Sequence, residues 1–194
     1  NKIVYSGVGK KFEELKFAIS KNILLINVES ESELKNIKKI AEKFRKKVSV
    51  GLRLNPNIDA KTNTKISTGR IQDKFGLNGN DIIKILNKFK NSRNIKIKCL
   101  SVHIGSQITQ NKPYNNVLVA INKILSKSKY KFEYIDLGGG MGIKYIKDNK
   151  KLDYSKLSKN IHKFSKKNNC KIIFEPGRSI VGNTAVLLTK VIYI

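Results

Sequence analysis

The sequence predicts an α/β protein forming part of a (β/α)8 barrel. Apolar runs of strand length alternate with helical patterns at spacings of one βα unit through almost the whole chain. The runs are apolar throughout, as expected where both faces of a parallel sheet are buried. Polar and glycine-bearing stretches sit where the runs end, which in a barrel gathers them on the C-terminal face. A doubly wound sheet is the rival architecture, but it would collect ligand groups mainly at one crevice and not after every strand. The predicted strands number six. That is too few to close an eight-stranded barrel, so the chain reads as an internal piece of a longer protein.

In order, residues 3–8 form a short apolar run ending in SGVG, and 11–20 carry Phe12, Leu15 and Ile19 at helical spacing. Residues 23–28 predict the second strand. Ser30 with Glu33 predicts a capping box for a helix from 31 to about 46, with Ile37, Ile40, Ala41 and Phe44 on its apolar face. Residues 48–54 predict the third strand, and the polar stretch 57–75 has no periodicity. A loop of that length in a compact domain is usually functional or disordered. A helix over 81–90 follows, with Ile82, Ile85, Leu86 and Phe89 on one side. The fourth strand, 95–104, ends in HIGSQ, and Pro113 opens a helix running to 128. Residues 132–137 predict the fifth strand. A helix over 154–167 points Leu157, Ile161 and Phe164 inward, and the sixth strand, 171–174, ends in EPGRS.

Charge is the loudest compositional feature: 40 Lys and Arg against 14 Asp and Glu, a net +26. The basic residues are nearly all lysine, spread over every helix and accompanied by an excess of Asn and Ile. Those residues share A/T-rich codons, and no aromatic-interleaved basic platform is present, so no nucleic-acid partner is expected. A positive surface would still attract an anionic cofactor or substrate. No apolar stretch has the length of a membrane span, and nothing at the start resembles a signal peptide. Cys99 and Cys170 suit neither a zinc site nor a redox pair. Two buried free thiols in a reducing cytoplasm are expected.

The chain is organised around DLGGGMG, residues 136–142. Three consecutive glycines cost backbone entropy on ordering, so packing alone is a weak explanation. They suit a main chain that turns tightly and presents bare N–H groups to an anion such as a phosphate. The alternative is a tight turn without a ligand. His103 reads either as a site residue or as a core histidine. Of only five arginines, Arg53 and Arg178 fall at strand ends, where lysine would not reproduce their planar fork.

Taken together, ISTG (66–69), KFG (74–76), HIGSQ, DLGGGMGI and EPGRSIVGN resemble the bacterial diaminopimelate decarboxylases. These are fold-type III pyridoxal-phosphate enzymes with an alanine-racemase-like barrel and a C-terminal β-domain. The resemblance runs essentially end to end. It implies that residues 1–183 are part of the cofactor-binding barrel and that 184–194 begin the connection to the β-domain. The implied activity is decarboxylation of meso-2,6-diaminopimelate to L-lysine and carbon dioxide, with pyridoxal 5'-phosphate as cofactor. Ornithine and arginine decarboxylases share EPGR, HIGS and GGG and are the alternative, as is a non-catalytic cofactor-binding homologue. The ISTG and KFG loop points to the diaminopimelate branch.

A cofactor of this kind needs a phosphate cradle, a partner for its ring nitrogen and packing against its ring. The resemblance implies that Gly138, Gly139 and Gly140 supply the cradle with Ser106, Gly140 nearest. Glu175 would face the ring nitrogen and His103 would stack on the ring. Arg178, with Gly177 beside it, would meet phosphate or a substrate carboxylate. Arg53 would reach the phenolic oxygen. No metal is implied. The family's cofactor-bearing lysine would lie before Asn1 and its β-domain substrate motifs after Ile194, so the piece alone is expected to be inactive. A cytoplasmic homodimer with composite sites is implied for the whole.

Overall fold

The computed structural model describes residues 2–70, 72–73, 75–145 and 151–194. Strands and helices alternate: β1 (Val4–Tyr5), α1 (Phe12–Ser20), β2 (Leu25–Val28), α2 (Glu31–Lys43), β3 (Val48–Arg53), α3 (Gly79–Phe89), β4 (Ile95–Ser101), α4 (Asn111–Ser128), β5 (Tyr134–Asp136), α5 (Tyr154–Asn168), β6 (Lys171–Ile173) and the single turn α6 (Arg178–Val181). All pairings are parallel and follow chain order, β1 to β6, the arrangement of a barrel and not of a doubly wound sheet. The sheet is curled. Asn27 on β2 donates to Asp136 on β5 at 2.7 Å, although two strands separate them in the sheet.

The helical faces are those the periodicity predicts. Ile82, Ile85, Leu86 and Phe89 of α3 are buried, as are Leu157, Ile161 and Phe164 of α5. In α2, Leu34 joins Ile37, Ile40 and Ala41 in the core, while Phe44 packs against it partly buried. Both cysteines are free and buried. Among the described residues, no helix is long and apolar enough to cross a membrane.

Several boundaries differ from expectation. The helix predicted to reach about 46 stops at Lys43 because Arg45 turns left-handed at φ +53° and the Lys46 N–H closes onto Ala41 O at 2.9 Å. The capping box is half formed. The Glu33 N–H donates to Ser30 Oγ, but the Glu33 carboxylate accepts from the Glu29 N–H and from Lys10. All six strands are shorter than the apolar runs: β2 at its start, β1 and β5 at both ends, and β3, β4 and β6 where the following loops begin. Single ladder-like bonds carry the pairing onward: Leu54 N–H to Ser101 O, Val102 N–H to Asp136 O and Leu137 N–H to Ile173 O.

The polar stretch after β3 is not free of the barrel. It holds a 3-10 turn at Thr64–Ile66 and lies against the end of β4, with a bridge between Ser67 and Gly105. Thr68 donates through its N–H to Ile104 O and through Oγ1 to His103 O. Of the KFG motif, Lys74 lies outside the described residues. The apolar run 185–194 forms no regular element, and Val186 and Leu188 are exposed. Apolar side chains are also exposed at the two sheet edges, Ile3 and Phe17 on one and Tyr154 and Phe174 on the other.

Candidate active site

Glycine is required at 138–140 by the crowding of three strand ends. A Cβ on Gly138 would stand 2.7 Å from His103 Nδ1, one on Gly139 2.2 Å from Glu175 O, and one on Gly140 2.3 Å from Gly105 O. This corrects the sequence-based expectation that packing explains the glycines poorly: each lets a different neighbouring loop approach. Nor are all three N–H groups bare. That of Gly138 donates to Asp136 Oδ1 at 2.8 Å, and that of Gly139 to His103 Nδ1 at 3.2 Å. Gly140, at φ +88°, is the one of the three for which the anion reading survives.

The same turn is zipped to the loop after β4. Ile108 N–H donates to Gly140 O, and Gly142 N–H donates to Ile108 O. The Gln107 amide holds Ile143 at both its N–H and its carbonyl. Buried Tyr114 on α4 donates to Gly139 O at 2.9 Å. HIGSQ and GGGMG, 31 residues apart in sequence by the numbering of Gln107 and Gly138, thus form one surface.

His103 is half-buried at its centre. Burial draws the imidazole below its ordinary value and the Arg53 guanidinium adds to this, against the opposing pull of Glu175 and Glu29. A neutral ring results. Its Nδ1 accepts the Gly139 N–H, so Nδ1 is the nitrogen without a proton.

Glu175 follows β6 and is fixed by its backbone, whose N–H donates to Gly138 O at 2.8 Å. Its carboxylate accepts from Ser6 Oγ at 2.5 Å. Beneath it lies Asp136, fully buried, which accepts from Asn27 Nδ2 and Ser101 Oγ as well as from Gly138. Burial first and Glu175 second push the Asp136 carboxyl up to about 7.

Arg178 opens α6 and donates from Nε to Ser106 Oγ at 3.2 Å and from Nη1 to the Tyr145 hydroxyl, with the Tyr145 ring beneath its guanidinium. Arg53 is turned to Glu29, with Nη1 2.5 Å from Oε1, and lies over the Phe75 ring. The other Glu29 oxygen accepts the Gly76 N–H, which ties the KFG loop to this ion pair. Gly177 is different from the other glycines: a Cβ there would meet nothing within 4 Å. The structure therefore brings His103, Ser106, Gly138–Gly140, Glu175 and Arg178 onto one rim, with Arg53 near His103.

Sequence reasoning passed over Ser6, Asn27, Asp136, Tyr114 and Tyr145. A signal existed for two of them. Asn27 and Asp136 are polar residues inside otherwise apolar strands, and a polar side chain buried in a strand must be bonded there. Nothing local marks Ser6 or the two tyrosines.

A curled parallel sheet with its polar side chains converging at the C-terminal strand ends is a barrel domain of the kind that carries small-molecule sites on that rim. The family model for the pyridoxal-dependent decarboxylase, pyridoxal binding domain, matches residues 1–182, and the chain belongs to that family. It is similar to diaminopimelate decarboxylase of Zymomonas mobilis, 39% identical over 100% of this chain and 47% of that protein, and of Aquifex aeolicus, 38% identical over 98% and 46%. Among solved structures, diaminopimelate decarboxylase from Helicobacter pylori complexed with L-lysine superimposes with a TM-score of 0.86 at 36% identity, covering 92% of this chain and 46% of that one. The chain thus spans about half the length of the relatives it matches.

The cofactor of this domain is pyridoxal phosphate, and the donor set fits it. A carboxylate suits a protonated ring nitrogen, a neutral imidazole suits a ring face, and a guanidinium with a hydroxyl suits a phosphate. At Gly140 the place of a Cβ is filled by Gly105 O, so its N–H is what it offers to a phosphate.

Proposed function

We propose that the protein to which this chain belongs decarboxylates meso-2,6-diaminopimelate to L-lysine and carbon dioxide. The observation that carries this reading is the convergence of Glu175, His103 and the Ser106–Arg178 pair on one rim in a pyridoxal-binding barrel. The diaminopimelate branch is favoured by the ISTG loop, which packs directly on HIGSQ, and by the relatives' names.

In this reading Ser106, Gly140 and Arg178 bind the phosphate, with Gly177 giving room beside it. Gly138 and Gly139 shape the turn, and their N–H groups orient Asp136 and His103. Neutral His103 packs on the ring. Glu175 holds a proton on the ring nitrogen, and Arg53, itself anchored on Glu29, reaches toward the phenolic oxygen. Pyridoxal phosphate, when bound, supplies the electron sink for the bond pair released as carbon dioxide departs. Arg178 also offers a cation to a distal substrate carboxylate, which ornithine and arginine lack. Residues 1–183 serve as the cofactor-binding part of the barrel and 184–194 as the start of its connection to a β-domain. The whole acts as a cytoplasmic homodimer.

The test is carbon dioxide release by the protein at the length of its relatives, supplied with pyridoxal phosphate and given meso-diaminopimelate, ornithine or arginine. Preference for diaminopimelate supports the reading. Preference for ornithine or arginine moves the chain to that branch, and no release from any of the three overturns the activity.

A further inference from the structure

The backbone of Glu175 is held by Gly138 O, but its carboxylate is held from across the barrel. Oε1 accepts from Ser6 Oγ at 2.5 Å, and Ser6 follows β1, at the far end of the sheet order from β6.

The direction of that bond is set by Asn27 on β2. Asn27 is 1% exposed, and its Nδ2 donates to Ser6 Oγ at 2.9 Å and to Asp136 Oδ2 at 2.7 Å. Asp136 Oδ2 also accepts from Ser101 Oγ, so an amide turned over would set one acceptor against another. In the orientation found, Asn27 Oδ1 has no hydrogen-bond partner among the described residues. It lies against Gly51, where an added Cβ would fall 2.1 Å from it. A buried amide oxygen without a partner is destabilising, so filling the lumen does not by itself explain an asparagine here. The two directed N–H bonds do. Because Ser6 Oγ accepts from Asn27, its own proton lies on the contact to Glu175.

We propose that Ser6 is a positioning residue for the cofactor's ring nitrogen: its hydroxyl, directed by Asn27, holds the Glu175 carboxylate in one orientation at the rim. The proposal rests on the reading that places Glu175 at that nitrogen. An unheld glutamate loses rotamer freedom when it meets a ligand, whereas one already held at Oε1 is ordered beforehand. A carboxylate has a second oxygen and several lone pairs, so accepting from Ser6 does not bar it from a ring N–H.

The experiment measures dissociation constants on the cofactor-free protein at the length of its relatives. The two ligands are pyridoxal phosphate and its analogue with the ring nitrogen replaced by C–H. Ser6→Ala is expected to weaken pyridoxal phosphate about fivefold and to leave the analogue within about twofold of the parent, since the lost order matters only where a ring nitrogen meets Glu175. Equal weakening of both ligands would make Ser6 a merely structural residue and overturn the proposal. So would a Ser6→Ala protein that binds pyridoxal phosphate as the parent does. Glu175→Gln, measured alongside, separates the two readings. If it fails to discriminate the ligands, the placement of Glu175 at the ring nitrogen falls and this proposal with it. If it discriminates them and Ser6→Ala does not, only the role of Ser6 falls.

Discussion

The Ser6 hydroxyl donates to the Glu175 carboxylate at 2.5 Å, joining the residue after the first strand to a residue beyond the last. These strands lie at opposite ends of the sheet order, so this one bond spans the barrel lumen. Asn27 extends it downward by donating to both Ser6 Oγ and Asp136 Oδ2. The result is a polar strut through an otherwise apolar barrel segment. It ends on the acid that the functional reading places at the cofactor ring.

The loop bearing Ser6 is held by Lys10, whose side chain is 1% exposed and whose ammonium bonds Gly7 O, Asn27 O and Glu33 Oε1. Removing one partner of a buried pair leaves the other without compensation. Lys10→Met is expected to lower stability by about 3 kcal/mol. Urea unfolding measures it, and a loss below about 1 kcal/mol, the level of an exposed pair, would mean the lysine is not a clamp.

The glycines separate by what a methyl would strike. Gly139→Ala places a Cβ 2.2 Å from Glu175 O and is expected to cost at least about 2 kcal/mol, because backbone on both sides must shift. Gly177→Ala meets nothing within 4 Å, and its φ of −106° lies outside the left-handed region, so the loss should stay below about 1 kcal/mol. Thermal melts of the two variants should therefore diverge. Equal melting would mean that the strand ends are not packed as described.

The pH dependence has a definite sign. Asp136 is raised in the folded state, from an ordinary 3.8 to about 7. Its contribution to stability is fully present below its unfolded value, falls as the unfolded state alone ionises, and is lost as pH rises through about 7. Stability should therefore decline between those two values by an amount that Asp136→Asn removes. Urea midpoints against pH for both proteins show it. Parallel curves would contradict the raised titration.

Glu175→Gln should retain pyridoxal phosphate through dialysis yet slow decarboxylation about a hundredfold or more, since a neutral partner no longer holds the ring nitrogen charged. Turnover and cofactor content measured on the same sample separate the two effects. Unchanged turnover would remove Glu175 from the reaction.

Much of this was legible in the residues. The apolar runs, the α3 and α5 faces and the gathering of EPGR, HIGS and GGG on one rim follow from period and chain order. What was not legible depended on contacts between distant segments. The glycine run reads locally as an anion turn, and only the approach of Gly105 O, Glu175 O and His103 shows why each position excludes a side chain. Ser30–Glu33 reads as a reciprocal cap, but the Glu33 carboxylate is drawn away by Lys10, which sequence spacing cannot reveal. Asp136 was visible as a lone acid in an apolar strand, but its partners Asn27 and Ser101 lie on other strands.

A crystal structure of the protein with pyridoxal phosphate tests the central claim most directly. The phosphate is expected against Ser106 Oγ, the Gly140 N–H and the Arg178 guanidinium, the ring nitrogen against the Glu175 carboxylate and the ring face on His103. A phosphate seated at another strand end, or a ring nitrogen facing away from Glu175, would contradict it.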